Sequence, residues 1–189
     1  MNLRPIIVLL VLITFALILT GCTGQDSEPP RGEGLTDITP RNEFERISLS
    51  SALIAFEQFN WPEVAGTSTP DIHYIRGDSL DRKGDALGWI IGVVIDQKPL
   101  LFIYTPNSQQ IMESNSALPS TDINPEKIMT PKELFRQKPL LIQDLTDGGE
   151  RDITALEVRD GSYIMTYISD STVRLFFFDS VTGIEIRQE

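Results

Sequence analysis

The sequence predicts an α+β protein in which an antiparallel sheet of about seven strands is covered on one face by two or three short helices. Two observations favour this fold class. Short runs rich in β-branched and aromatic residues are separated by polar turns, which is typical of strands joined in hairpins. Two further segments have the apolar spacing or the capping residues of short helices.

The predicted helices are recognised mainly by where they begin. Apolar side chains recur at helical spacing over residues 48–59, and Ser48 is a suitable N-cap. Thr130-Pro131-Lys132-Glu133 has the capping-box pattern with proline at the first helical position, and predicts a short helix to about Gln137. A further helical turn starting at Thr39-Pro40 is the candidate for a third helix.

The strand predictions centre on one segment that is apolar on both faces. In Ala86–Ile95 neither set of alternating residues is polar, which predicts a central strand. Gly88 and Gly92 lie on one face, where they would let a helix approach closely. The full set of predicted strands is Ile72–Arg76, Ala86–Ile95, Leu100–Tyr104, Gln110–Glu113, Ile153–Val158, Tyr163–Ile168 and Val173–Phe178.

The elements follow a repeated order. Trp89 to Asp96 and Tyr163 to Asp170 each run seven steps from an aromatic residue to an acidic turn residue, and a strand follows each at the same offset. A single domain over 41–189 is therefore predicted, with two tandem halves at 41–118 and 119–189 as a duplication hypothesis. Chance similarity between β-hairpins explains the pattern equally simply.

Composition narrows the classes of function. The chain has 189 residues with 16 basic and 27 acidic side chains, giving a formal net charge of −11. Such a protein is repelled by phosphate backbones, so nucleic-acid binding is not expected. The single cysteine excludes an internal disulfide, and the fold must therefore depend on burial alone.

The amino terminus has the pattern of an export signal. Residues 6–19 form a nearly continuous apolar run, shorter than the ~20 residues of a spanning helix but within the length of a signal-peptide core. The run ends in Leu19-Thr20-Gly21-Cys22, which resembles the lipobox of prokaryotic lipoproteins. The resemblance implies transfer of a diacylglyceryl group, which carries fatty acids such as palmitate, to the Cys22 thiol. It also implies cleavage of a signal peptide (residues 1–21) between Gly21 and Cys22. An uncleaved anchor helix is the alternative.

The segment after Cys22 is predicted to be a flexible tether. Residues 22–40 are rich in proline, glycine and charge and poor in apolar side chains. A tether of this length reaches roughly 25 Å. The domain would then be held near the membrane, outside the cytoplasm, at the cell surface or in a periplasm.

The carboxyl-terminal segment resembles a known family. In Leu175–Ile186, a hydrophobic strand meets an Asp-x-x-Thr-Gly turn (Asp179 to Gly183) and a short final strand. This pattern is similar to the last hairpin of PepSY-like domains, and the helix-then-hairpin order before it is similar too. The resemblance implies an exported or membrane-associated domain that binds or restrains other proteins. It implies no catalytic residues.

Two acidic turns are candidate metal sites. Asp78, Asp81 and Asp85 lie in one turn, and Asp144, Asp147 and Glu150 lie in another. Calcium binds six or more converging oxygens, so either turn is a candidate calcium ligand set. Neither turn has the alternating spacing of a calcium loop, and acidic turns between strands are common in any case. A zinc site is excluded by the single histidine and single cysteine.

The remaining candidates are one histidine and a run of aromatic residues. His73 would have to serve any Ser-His-Asp system, but a structural or surface role is the simpler interpretation. Three consecutive phenylalanines place rings on both faces of the last strand. Val173, Leu175 and Phe177 can fill the core, whereas Phe176 and Phe178 need a helix, the other half of the chain or a partner to cover them. Burial within the chain is the simpler interpretation, and a protein interface at Phe176 and Phe178 is the alternative.

These observations favour a non-enzymatic, membrane-anchored lipoprotein that binds or modulates another envelope protein. The alternatives are an envelope hydrolase working through paired carboxylates and a calcium-stabilised structural module. No carboxylate pair can be selected from the sequence, and no catalytic residue is assigned.

Overall fold

The computed structural model describes residues 45–61, 69–147, 151–169 and 172–187. The predicted signal peptide and tether, Gly21 and Cys22 included, lie outside the described residues, as does Glu150. Seven strands form one sheet in the order β4-β3-β2-β1-β5-β6-β7, and every neighbouring pair is antiparallel. The strands are β1 (Asp71–Leu80), β2 (Gly88–Ile95), β3 (Lys98–Thr105), β4 (Ser108–Glu113), β5 (Ile153–Arg159), β6 (Ser162–Ser169) and β7 (Thr172–Asp179).

Three short helices accompany the sheet: α1 (Leu49–Glu57), α2 (Pro131–Gln137) and α3 (Pro139–Leu145). Their buried side chains join those of the strands in one hydrophobic cluster. The predicted α+β fold, with its antiparallel sheet of seven strands and short helices, is confirmed. The face of the sheet that supplies this cluster is called the inner face below, and the opposite face is the outer face.

The first two helices begin where their caps predict. The Ser48 hydroxyl accepts a hydrogen bond from the amide of Ser51 at 3.1 Å. Thr130 forms the complete capping box, in which its hydroxyl accepts from the Glu133 amide while the Glu133 carboxylate accepts from the Thr130 amide. These bonds from Thr130 hold the pKa of Glu133 below its ordinary value.

The third helix, α3, was not predicted. Its seven residues begin with proline, and Ile142 and Leu145 are buried while Leu140 is 80% exposed. The sequence Leu140-Leu141-Ile142 is uniformly apolar, so it contains no periodicity from which a helix could be read. The helix becomes recognisable only when the structure shows which of these side chains contact the core.

The two halves of the sheet meet at the β1–β5 pair. In the register of that pair, Ile75 lies opposite Val158 and Gly77 lies opposite Leu156. The strands β2, β3 and β4 continue outward on one side, and β6 and β7 continue on the other. Each half therefore consists of helical structure followed by an antiparallel meander, in the predicted order.

An equivalent hydrogen bond recurs in both halves. Trp89 of β2 donates from its indole nitrogen to the carbonyl of Ile47 at 2.9 Å, directly before the N-cap of α1. Tyr163 of β6 donates from its hydroxyl to the carbonyl of Met129, directly before the N-cap of α2. Both aromatic side chains are completely buried, so each bond satisfies a polar group inside the core. This equivalence favours the duplication hypothesis, which stays a prediction.

β1 is longer than predicted. The predicted strand ended at Arg76, but β1 continues to Leu80. Gly77 lies beneath the ring of Trp89, where an added Cβ would come within 2.7 Å of that ring. The glycine is therefore a packing residue inside the strand, and the turn begins only at Asp81.

The glycine face of β2 is covered differently from the prediction. A Cβ on Gly92 would meet Tyr74 at 2.9 Å and Leu118 at 3.0 Å. Leu118 belongs to the segment between β4 and α2, which has no helix at that position. The expected close approach of a helix is wrong at this position, because a loop side chain fills the space instead.

The predicted turn after the last strand forms as a network around Asp179. Its carboxylate accepts hydrogen bonds from the amide and hydroxyl of Thr182, both at 2.7 Å, and these bonds lower its pKa. Gly183 follows with φ of +69°. The chain then returns beside β7, where the amide of Ile186 donates to the carbonyl of Phe177 at 2.8 Å.

Candidate functional site

The carboxylates of the first acidic turn do not converge. Asp78 accepts from the guanidinium of Arg76 at 2.8 Å. Asp81 instead accepts from two backbone amides of its own turn, those of Lys83 at 2.8 Å and Asp85 at 3.1 Å. Burial, reinforced by the charge of Asp81, raises the pKa of Asp85.

The second acidic turn is held by arginines. The Asp144 carboxylate lies 3.4 Å from Arg174, and Asp147 lies 3.8 Å from Arg151. Within the described ranges, no group of three or more carboxylate, histidine or cysteine side chains could hold a metal ion. The described residues thus offer calcium no converging ligand set at either turn, and the calcium hypothesis stays a prediction.

His73 lies near the start of β1, at a register shift between Ile72 and Tyr74 in the pairing with β2. Its Nε2 is 3.3 Å from the carboxylate of Asp122, which is exposed, and its Nδ1 is buried without a hydrogen-bond partner. A His–Asp contact alone is not a nucleophilic site, because a third residue must supply the attacking atom. The structural role that the sequence favours fits this position.

The aromatic residues of β7 lie on the opposite faces from those predicted. Phe178 is completely buried opposite Tyr163, with the Lys138 ammonium 5.5 Å from its ring centre. Phe176 lies on the same inner face, where it packs partly buried against the core. The interface hypothesis is therefore wrong for Phe178, because its side chain is part of the buried core.

The exposed side of β7 is formed by the residues assigned to the core. Val173 is 61% exposed and Leu175 is 53% exposed. The register aligns them with Ile168 and Thr166 of β6 on the outer face. Alternation along the strand had divided these residues into the correct two sets, but it could not show which set faces the helices.

The exposed apolar surface extends beyond β7. Ile168 is 52% exposed, and the returning terminal segment adds Ile184 at 66% and Ile186 at 42%. Because Ile184 and Ile186 pair beside Asp179 and Phe177, they are on the same outer face. The outer apolar patch is the name used below for this surface: Ile168, Val173, Leu175, Phe177, Ile184 and Ile186.

Three cavities in the described part do not favour carboxylate chemistry. One lies between the β1–β2 turn and helices α2 and α3 and has no acidic residue in its lining. A second, at the start of α1 and α2, has Asp85 as its one acidic side chain, and a third, at the β3–β4 turn, has none. Since a retaining or inverting hydrolase needs two facing carboxyl groups, none of these three cavities suits that alternative.

Among the residues that the structure covers, no helix is both long enough and apolar enough to cross a bilayer. No protein-family model matches the chain, and no curated protein matches it significantly. The resemblance to PepSY-like domains therefore stays a prediction.

The chain is similar to a crystal structure from Clostridium difficile 630 that is described as a "putative lipoprotein". The identity is 12%, the TM-score is 0.46, and the match covers 75% of this chain and 91% of the other. A similarity at this level identifies neither a family nor a function.

Proposed function

We propose that the chain is exported and anchored by lipid on Cys22, and that its folded part binds another envelope protein through the outer apolar patch. The support for the anchor is the sequence Leu19-Thr20-Gly21-Cys22 behind an apolar run of signal-peptide length. The single observation that supports binding is the exposure of the patch.

The anchor is tested by Cys22→Ala, with Thr23→Ala as the matched control. Mass spectrometry of wild-type and Thr23→Ala protein from host membranes should find a diacylglyceryl thioether on Cys22 as the first residue. The Cys22→Ala protein should keep residues 1–21 and carry no lipid, because the thiol is the acceptor. An unmodified Cys22 in the wild-type protein would show that the anchor is wrong.

The outer apolar patch lies along an edge of the sheet. β7 is the outermost strand of the described sheet, and the described part of the terminal segment pairs with it opposite Phe177 to Asp179. The other edge strand, β4, reads Ser-Gln-Gln-Ile-Met-Glu and is largely polar. Apolar side chains beside an open edge favour pairing with another strand, whereas polar edges discourage it.

The partner that fits this surface is an extended segment of another protein. Such a segment would add a strand beside the Thr172–Phe176 part of β7, and its alternate side chains would extend the apolar surface of Val173 and Leu175. Backbone hydrogen bonds would supply affinity and the apolar side chains would supply specificity. The tether would keep the domain within reach of proteins in the same membrane.

A matched pair of lysine substitutions tests this mode of binding. Leu175 on β7 and Met112 on β4 are 53% and 50% exposed, and both lie on the outer face of an edge strand. With a photo-crosslinking amino acid at position 173, the wild-type chain in native membranes should give an adduct with one envelope protein. Leu175→Lys should abolish that adduct and Met112→Lys should leave it, because only the first places a charge in the interface.

Both lysine variants should unfold within about 0.5 kcal/mol of the wild-type protein, since each site is on the surface. An adduct that survives Leu175→Lys would contradict the proposal. An adduct between two copies of this chain would contradict it as well, because the partner would then not be a different protein.

A further inference from the structure

A second site lies away from the outer apolar patch, in the cavity between the β1–β2 turn and helices α2 and α3. Its volume is about 510 Å³, which is within the range of small-molecule sites. Phe135 of α2 and Ile142 of α3 supply apolar wall. The name α2–α3 pocket is used for it below.

Four basic residues line the α2–α3 pocket: Arg82 and Lys83 from the turn, and Lys132 and Arg136 from α2. They are a quarter of the 16 basic residues in a chain whose net charge is −11. No carboxylate is part of the described lining. A concentration of one charge sign against the sign of the whole chain creates a local field that attracts anions.

This arrangement costs stability. Lys132 and Arg136 are four residues apart on one helix, a spacing that places like charges side by side and destabilises the helix. Lys83, Lys132 and Arg136 form no ion pair with the described carboxylates. Two acidic residues compensate in part: Glu133 interacts with the charge of Arg136, and Asp85 interacts with the charges of Lys83 and Lys132. Like charges that are placed side by side on a helix, and are only partly compensated by acidic residues, are typical of a functional site.

We propose that the α2–α3 pocket binds a small amphiphilic anion, in which a phosphate or carboxylate group is joined to a short apolar chain. The anionic group would contact the basic residues, since lysine and arginine form strong charge-assisted hydrogen bonds with such oxygens. The apolar chain would lie against Phe135 and Ile142. An inorganic anion would contact the basic residues but would make no contact with the apolar wall.

The test uses the full chain in phosphatidylcholine nanodiscs, titrated with hexyl phosphate and, separately, with inorganic phosphate and hexanol. Hexyl phosphate should bind saturably and at least tenfold more tightly than either of the other two, because only it has both groups. Its affinity should fall at least tenfold in the Lys132→Gln/Arg136→Gln double variant and should stay unchanged in Lys98→Gln. All three positions are exposed, so folding should be unaffected.

A bilayer lipid headgroup and a free amphiphile have the same chemistry, and the nanodisc composition distinguishes them. If phosphatidic acid in the disc weakens hexyl phosphate binding, the lipid occupies the pocket; if binding is unchanged, the ligand comes from solution. Either result supports the site. Equal affinity for inorganic phosphate, unchanged affinity in the double variant, or no saturable binding would each overturn the proposal, whatever the outcome at the outer apolar patch.

Discussion

Trp89→Ala should lower the free energy of unfolding by about 3–5 kcal/mol, the usual cost of removing a large buried aromatic side chain. Trp89 is 1% exposed and packs directly over Gly77. Its removal would leave a cavity, and it would also deprive the carbonyl of Ile47 of the indole hydrogen bond. Urea unfolding followed by circular dichroism measures this loss, since the remaining tryptophan is not a sufficient probe of the whole fold.

Leu140→Ala is the control for that experiment. Leu140 is 80% exposed, so its truncation should change the free energy of unfolding by less than about 0.5 kcal/mol. Trp89→Phe should fall between the two, because it keeps a six-membered aromatic ring while it removes the rest of the indole and its N–H donor. A loss below about 1 kcal/mol for Trp89→Ala would contradict the central position of this side chain.

Gly84→Ala should destabilise the protein by roughly 2 kcal/mol more than Gly161→Ala. The two glycines have similar positive φ angles, +84° and +73°, so both substitutions carry the same backbone strain of about 1–2 kcal/mol. They differ in their surroundings. A Cβ on Gly84 would lie 2.9 Å from backbone atoms of Pro131 and Lys132, whereas a Cβ on Gly161 would meet nothing within 4 Å.

Denaturant unfolding gives the free energy of unfolding of each alanine variant. The difference between the two values cancels the backbone strain that both variants share. The first turn of α2 cannot move away from a Cβ at position 84 without losing its capping box, and a large difference is therefore expected. Equal losses for the two variants would show that the β1–β2 turn shifts freely against α2.

The fold was predictable where periodicity and caps agree. The helix caps at Ser48 and Thr130 and the three later strands were predicted within a few residues, because capping and alternation are local properties. β1 was predicted short because Gly77 and Asp78 resemble turn residues, and only the ring of Trp89 explains a glycine inside that strand. The helix α3 was missed because its apolar run has no period.

The candidate sites were less predictable, because they depend on contacts between distant segments. The sequence separated Phe176 and Phe178 from Val173 and Leu175 correctly, but the pairing with β6 and the position of α2 decide which set is exposed. The α2–α3 pocket joins residues about fifty positions apart. Its one local signal was the spacing of Lys132 and Arg136, four residues apart on a predicted helix.

The pairing of β1 with β5 has a consequence for the order in which the protein can be assembled. The hairpins on either side of the sheet's centre can form while the chain is still emerging, since their partners are neighbours in sequence. β1 is different, because its neighbour β5 is distant in sequence and Ile75 pairs with Val158. The edge of β1 that faces β5 therefore stays open to other chains until the second half of the chain has been synthesised. Contacts at that distance in sequence form late, so the interval before β5 arrives is when the nascent chain is most exposed to aggregation and most dependent on chaperones.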